Sequence, residues 1–169
     1  VGYGRSALLA VLAGCSTSAI DVRDPSDDRE GANAVVVDVI DGDTIEVDVD
    51  GRQETVRLIG IDTPETVHPQ RPVECFGPEA SAFTAELLPA GTAIRLERDI
   101  VGRDDYGRLL GYVVVVDGAE ETFANLEIVE RGFARPLTIE PNSRFAADFA
   151  GAAQRAEAAG RGLWTACAR

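Results

Sequence analysis

Between Ala34 and Ile61 the sequence alternates and turns as a tightly linked set of β-strands does. Val35-Val36-Val37 through Ile40 is an apolar run interrupted at Asp41-Gly42-Asp43. Ile45 and Val47 then alternate with Glu46 and Asp48, the period-two pattern of a half-buried strand. Asp50-Gly51 is a hairpin signal, because both residue types tolerate the positive φ of a tight turn. Val56-Arg57-Leu58-Ile59-Gly60-Ile61 returns as a third strand.

The remainder alternates between the two periods. After an irregular, Pro-bearing stretch from Asp62 to Gly77, Pro78 opens a helix at its first turn, with Ala80, Phe83, Leu87 and Leu88 on one face. Ala93 to Arg98 and Leu109 to Val116 read as two more strands, joined by the polar loop Gly102 to Arg108. Asp117-Gly118 makes a turn before a helix around Asn125 to Arg131, and the Ala-rich segment Arg144 to Ala159 is a third helix ended by Gly160. The pattern predicts an α+β fold, mainly β: a five-stranded Greek-key barrel of the OB type with three helices. The helical patterns are too long for an immunoglobulin-like sandwich.

That domain occupies residues 34–169; what precedes it reads differently. Arg5, the apolar run Ala7 to Ala13, and then Leu12-Ala13-Gly14-Cys15 resemble a bacterial lipoprotein signal, in which the Cys is lipidated. The run is too short to span a bilayer, which takes about 20 residues. The other reading of residues 1–15 is a plain apolar end. Residues 16–33 are polar, acidic and aperiodic, as a flexible tether is. With Cys15 lipidated, Cys75 and Cys167 remain, and an exported protein favours pairing them; the other reading is two unrelated thiols. Such a bridge stabilises by roughly 4–5 kcal/mol in the chain-entropy model. The expectation is an exported protein, at the cell surface or extracellular, attached to the membrane only by its N-terminal lipid, and monomeric.

Charge poses a conflict. The chain carries 16 basic residues, every one an arginine, against 29 acidic ones, for a net charge of −13. A polyanionic partner should be repelled. Yet three stretches carry chemistry that suits one. Asp41-Gly42-Asp43-Thr44 breaks a strand with two carboxylates; Arg57 precedes Asp62-Thr63-Pro64-Glu65-Thr66; and Asp104-Asp105-Tyr106-Gly107-Arg108 closes a loop before a strand. Carboxylates and carbonyls at strand ends suit a hard cation such as Ca²⁺, which takes six to eight oxygens. Two arginines nearby suit a phosphodiester and its transition-state charge, and a spare glutamate suits the attacking water. Each stretch alone is more often an ordinary turn; their order between these strands is what carries weight.

On these residues the chain resembles the staphylococcal nuclease (thermonuclease) family, over roughly Val35 to Trp164. The match continues with His68-Pro69, Gly77-Pro78-Glu79-Ala80-Ser81-Ala82-Phe83-Thr84 and Gly162-Leu163-Trp164. The resemblance implies an OB-fold endonuclease that cleaves DNA and RNA with Ca²⁺ and leaves 3′-phosphate ends. It implies Asp43 and Asp62 as carboxylate ligands, with Thr63 contributing its backbone carbonyl. Glu65 is then the general base or water-orienting group, Arg57 and Arg108 bind the scissile phosphate, and Tyr106 contacts a terminal phosphate of the bound nucleotide. Asp41 is expected beside the site as a turn residue, and His68 in a structural role. The alternative is an OB-fold module that binds nucleic acid or calcium without catalysis.

Two departures stand out. Family members that bind nucleotides tightly carry tyrosines against sugar and base, whereas Arg135-Pro136-Leu137-Thr138-Ile139-Glu140-Pro141 has none. Asp105 stands where the family often has Lys. Arg57, Arg103, Arg108, and with them Arg71 and Arg135, are expected to gather on one face and outweigh the net charge locally. Screening at high salt then favours the encounter further.

Overall fold

The computed structural model describes residues 31–67 and 72–167. The signal segment 1–15 with Cys15, tether residues 16–30, His68 and Arg71 lie outside the described residues. Strands β1 (Ala34–Asp41), β2 (Thr44–Val49) and β3 (Arg52–Leu58) form the antiparallel meander. Asp50 (φ 53°) and Gly51 (φ 78°) make its turn with positive φ at both positions, and the Gly51 amide donates to Asp48 Oδ1 at 2.8 Å. Strands β4 (Gly60–Asp62), β5 (Ala93–Glu97) and β6 (Leu109–Asp117) follow. β1 pairs with β5, β5 with β6, and the start of β6 returns parallel to β3, so β1, β2, β3, β6 and β5 close a five-stranded barrel. Register shifts between Val36 and Asp38 and between Val39 and Asp41 bend β1, as bulges do around small barrels.

The third strand is interrupted where the sequence predicts it to continue. Gly60 has φ 83°, and a Cβ there would lie 2.2 Å from the Phe149 ring. The chain therefore kinks, and β4 leaves the barrel to pair with β8 (Arg135–Leu137). A short strand β7 (Glu120–Phe123), pairing with the end of β6, separates the Asp117-Gly118 turn from the next helix. Neither β7 nor β8 was expected from the pattern. The three expected helices are α1 (Gly77–Leu87), α2 (Ala124–Glu130) and α3 (Ala146–Ala158), and a one-turn helix α4 (Leu163–Ala166) follows. Among the described residues no helix is long and apolar enough to cross a membrane.

The barrel interior is built from Ile45, Val47, Val56, Leu58, Ile94 and Val113, all fully buried. Each such side chain contributes about 1.5–3 kcal/mol by leaving water. One end is plugged by aromatic rings. Tyr112 meets Phe145 edge-on at 4.7 Å, and its hydroxyl donates to Asp99 Oδ2 at 2.8 Å. Asn125, fully buried on α2, accepts from the Val113 amide and donates to Ile59 O, both at 2.9 Å. It thereby satisfies the backbone where β3 gives way to β4. Ala80 on α1 and Leu88 just past its end are buried as the apolar face requires, Phe83 and Leu87 pack against the core, and Thr84 Oγ1 donates to Gly42 O at 2.7 Å. That last bond ties the helix to the Asp-Gly-Asp turn. Cys75 and Cys167 form a disulfide, with Cα atoms 6.0 Å apart, joining the segment before α1 to the end of α4.

Candidate active site

The β1–β2 turn, the end of β3, β4 and the loops after β4 and before β6 all reach one rim of the barrel. There Asp43, Arg57, Asp62, Thr63, Glu65 and Arg108 line a single cleft of about 210 Å³, with Asp41 and Glu74 also at its walls. Six residues spread over more than sixty positions meet because the barrel closes between β3 and β6.

Asp43 is the buried centre, 6% exposed. Its Oδ2 accepts from the Thr63 amide at 2.9 Å and from Thr63 Oγ1 at 3.0 Å. Its Oδ1 accepts from Thr44 Oγ1 at 3.2 Å and lies 3.1 Å from Arg57 Nε. The fit is close enough that a Cβ on Gly42 would sit 2.7 Å from Thr63 Oγ1, which is why glycine separates the two aspartates. Arg57 is anchored further by Nη1, which donates to Leu58 O and, at 3.0 Å, to Ile61 O. Its Nη2 lies 3.4 Å from Asp62 Oδ1. The guanidinium therefore bridges the carbonyls at the β3–β4 kink and the two carboxylates.

The carboxylates crowd one another. Burial, and then the charge of Asp43, raise the Asp41 carboxyl above its ordinary value, and the same two causes raise Asp62 against the opposing pull of Arg57. Such an arrangement is relieved by a cation. All the donors are oxygen, as a hard ion requires. Among the described residues no group of three His, Cys, Asp or Glu side chains is spaced as a metal cage by itself. Asp43 and Asp62 bring two carboxylates to this rim beside Thr63, a donor set whose chemistry suits a hard cation.

Glu65 folds its carboxylate back on its own loop, Oε1 accepting from the Thr66 and Val67 amides, both at 2.9 Å. Its backbone is held from outside: Glu65 N donates to Glu74 Oε2 at 3.2 Å, and Glu74 N donates to Glu65 O at 2.9 Å. Arg108 is held by Asp104, which accepts from its Nε at 2.8 Å and its amide at 2.9 Å. Although desolvation opposes it, these bonds bring the Asp104 carboxyl below its ordinary value. Sequence reasoning placed Asp104 in one of its three stretches without giving it a role, and missed Glu74 altogether. The first had a signal, an acid four residues before the arginine; the second had none.

A neighbouring cleft of about 350 Å³ shares Arg57 and Arg108 and adds Tyr106, Asp105, Leu137 and Ile139. Tyr106 is 87% exposed, with the Arg108 guanidinium 5.6 Å from its ring centroid. The tyrosine-free stretch also lines this cleft, presenting the aliphatic Leu137 and Ile139 beside Glu140 and Pro141. Arg103 lines this cleft but is engaged by Glu54, at 2.9 and 2.8 Å. Arg135 instead lies 4.3 Å over the Trp164 ring. Of the arginines expected on one face, Arg57, Arg103 and Arg108 gather; Arg135 stacks elsewhere.

A closed OB barrel whose rim sets a cluster of carboxylates beside two anchored arginines has the groups that a phosphate ester calls for. Comparison with known proteins is specific. The family model described as staphylococcal nuclease homologue matches residues 55–166, and the chain belongs to that family. It is 46% identical over 120 residues to the thermonuclease of Staphylococcus intermedius, covering 71% of this chain and 68% of that one. With the thermonuclease of Staphylococcus hyicus it shares 42% identity over 130 residues, 77% of this chain and 74% of that one. With endonuclease YncB of Bacillus subtilis it shares 38% over 137 residues, 79% and 62% of the two chains. Arg57, Asp62, Thr63, Glu65 and Arg108 fall inside the matched family segment; Asp43 precedes it.

Proposed function

We infer that this chain is a nuclease, a hydrolase acting on the phosphodiester bonds of nucleic acids, and that it works with Ca²⁺ to leave 3′-phosphate ends. Family membership supports the hydrolase; the gathering of Asp43, Arg57, Asp62, Glu65 and Arg108 in one cleft is the observation that carries the chemistry.

In this reading Arg57 and Arg108 hold the non-bridging oxygens of the scissile phosphate, and their fixed forks meet the added charge as phosphorus becomes five-coordinate. Glu65 orients the attacking water and takes its proton as the new P–O bond forms. The bond from phosphorus to the 5′-oxygen breaks, and that oxygen leaves with a proton drawn from solvent. Asp43, Asp62 and the Thr63 carbonyl would hold Ca²⁺, which when bound would supply positive charge beside the phosphate. Tyr106, exposed beside Arg108, contacts a terminal phosphate of the bound nucleotide. DNA and RNA are both substrates.

The reading extends to location. Disulfides persist in oxidising compartments, and Cys75–Cys167 supports an exported protein. We place it at the cell surface, held by a lipid on Cys15, and monomeric.

The test is digestion of single-stranded DNA with Ca²⁺ or with chelator, for the parent chain and Arg108→Ala. The parent should cleave only with Ca²⁺ and leave 3′-phosphate ends. The variant should retain calcium binding while losing about 10²–10³ in kcat. A folded, calcium-loaded parent that cleaves nothing would make the chain a binding module.

A further inference from the structure

The wall of the cleft holds a carboxylate that the reaction above does not use. A cleft that must accept a phosphodiester gains nothing electrostatically from Glu74, which lines it all the same. What Glu74 does is grip Glu65 from both sides of its backbone. Its Oε2 accepts from the Glu65 amide at 3.2 Å, and its own amide donates to the Glu65 carbonyl at 2.9 Å. Because the Glu65 carboxylate is bonded to the next two amides of its own loop, its direction follows the backbone of residues 65–67. Whatever fixes that backbone aims the carboxylate.

The segment carrying Glu74 is in turn pinned from several directions. The next residue, Cys75, is bonded to Cys167 at the end of α4. That helix is seated on the turn after α2, with Leu163 N donating to Gly132 O at 2.9 Å. Phe76 stacks on Phe133 with ring centroids 5.4 Å apart. Gly77 lies so near the Glu65 loop that a Cβ would come within 2.7 Å of Thr66 Cγ2 and 3.0 Å of Glu65 O. A bond between cysteines 92 residues apart thus ends one residue from the clamp on Glu65.

We propose that Glu74 is a positioning residue for Glu65, and that the Cys75–Cys167 disulfide holds Glu74 in register with the loop it clamps. The inference rests on the nuclease reading only for its kinetic consequence. The clamp itself is a matter of backbone hydrogen bonding.

The experiment compares the full chain with Glu74→Ala, Glu74→Gln, the pair C75S/C167S, and that pair combined with Glu74→Ala. Two quantities are read: exchange of the Glu65 amide by NMR, which needs no activity, and kcat and KM on single-stranded DNA. Losing one hydrogen bond should speed that exchange about tenfold in Glu74→Ala and lower kcat about tenfold, with KM within about twofold. Glu74→Gln keeps an acceptor oxygen and should recover both. The cysteine pair should shift both readouts the same way, and adding Glu74→Ala to it should cost no more than about threefold further, because linked residues are not additive. Unchanged exchange in Glu74→Ala, no recovery in Glu74→Gln, or full multiplication of the two effects would overturn the proposal. Should the cysteine pair fail to fold, the parent reduced by thiol under conditions that leave its circular dichroism native takes its place. In a chain that cleaves no nucleic acid, the exchange measurements alone decide. Faster exchange with Gln recovery then supports the clamp while the nuclease reading falls, and unchanged exchange overturns the clamp.

Discussion

Arg57 Nε stands 3.1 Å from Asp43 Oδ1, with the two side chains only 15% and 9% exposed. The carboxylate assigned to the cation and the guanidinium assigned to the phosphate are therefore each other's counter-ions before any ligand arrives. Neither can be changed without disturbing the other, because a half-buried charge stripped of its partner is costly.

Arg57→Lys tests how far this depends on the planar fork. A lysine keeps the charge but cannot reach Leu58 O, Ile61 O and both carboxylates at once. The expected outcome is a fall in kcat of about 10²-fold or more, with about 1–2 kcal/mol lost from unfolding stability in urea. Steady-state kinetics and urea titration check the two halves separately.

The aliphatic wall predicts a gain. Leu137 is 37% exposed and Ile139 68%, both facing the cleft that Tyr106 borders. Replacing either with Tyr supplies a stacking surface for a base, an interaction of about 1–3 kcal/mol. KM for single-stranded DNA should fall about five- to hundredfold with kcat nearly unchanged. No change in KM would mean that bases do not reach this wall.

Ionic strength should act in an unusual direction. With a net charge of −13, the chain repels nucleic acid at long range, and the arginines at the cleft act only at short range. Screening removes the first effect before the second, since the Debye length is about 3 Å at about 1 M salt. Initial rates should rise with added NaCl before falling; a monotonic decline from low salt upward would refute this.

Acid stability should depend on Asp99. Its carboxyl pays a desolvation cost yet lies below its ordinary value of 3.8, held there by bonds from the Arg144 amide and the Tyr112 hydroxyl. A carboxyl depressed by folding stabilises above its unfolded value and loses that contribution as pH falls through the folded one. Asp99→Asn should therefore be less stable than the parent at neutral pH, and the gap should narrow as pH drops below about 3.8. Thermal melts across that range give the comparison. Burial, and after it the same contact with Asp99, push the Tyr112 hydroxyl up to about 12.

The meander, the barrel and the first three helices were legible because their apolar spacing is regular. The elements that escaped are those whose stability comes from elsewhere. Strand β7 has exposed Glu120, Glu121 and Thr122 and exists because Val114 to Asp117 offers an edge to pair with. Strand β8 has Pro136 at its centre, a residue that argues against a strand, and forms by pairing with β4. The break at Gly60 reflects a ring of α3 occupying the space of a side chain, which no local pattern announces. The candidate site was legible where its residues stand in recognisable motifs, and Asp43, Arg57 and Glu65 do line one cleft. Glu74 was not, because it acts on another residue's backbone, and backbone contacts leave no mark in composition or spacing.

The pairing that closes the barrel also sets when the molecule becomes dangerous. Val56, Arg57 and Leu58 run beside Leu109, Leu110 and Gly111, so Arg57 and Arg108, one on each side of that seam, become neighbours only when it zips. Parallel pairings between distant segments form late, since the loop between them must be ordered first. A chain still unfolded carries every motif and no cutting edge. The blade is assembled in the same event that completes the fold.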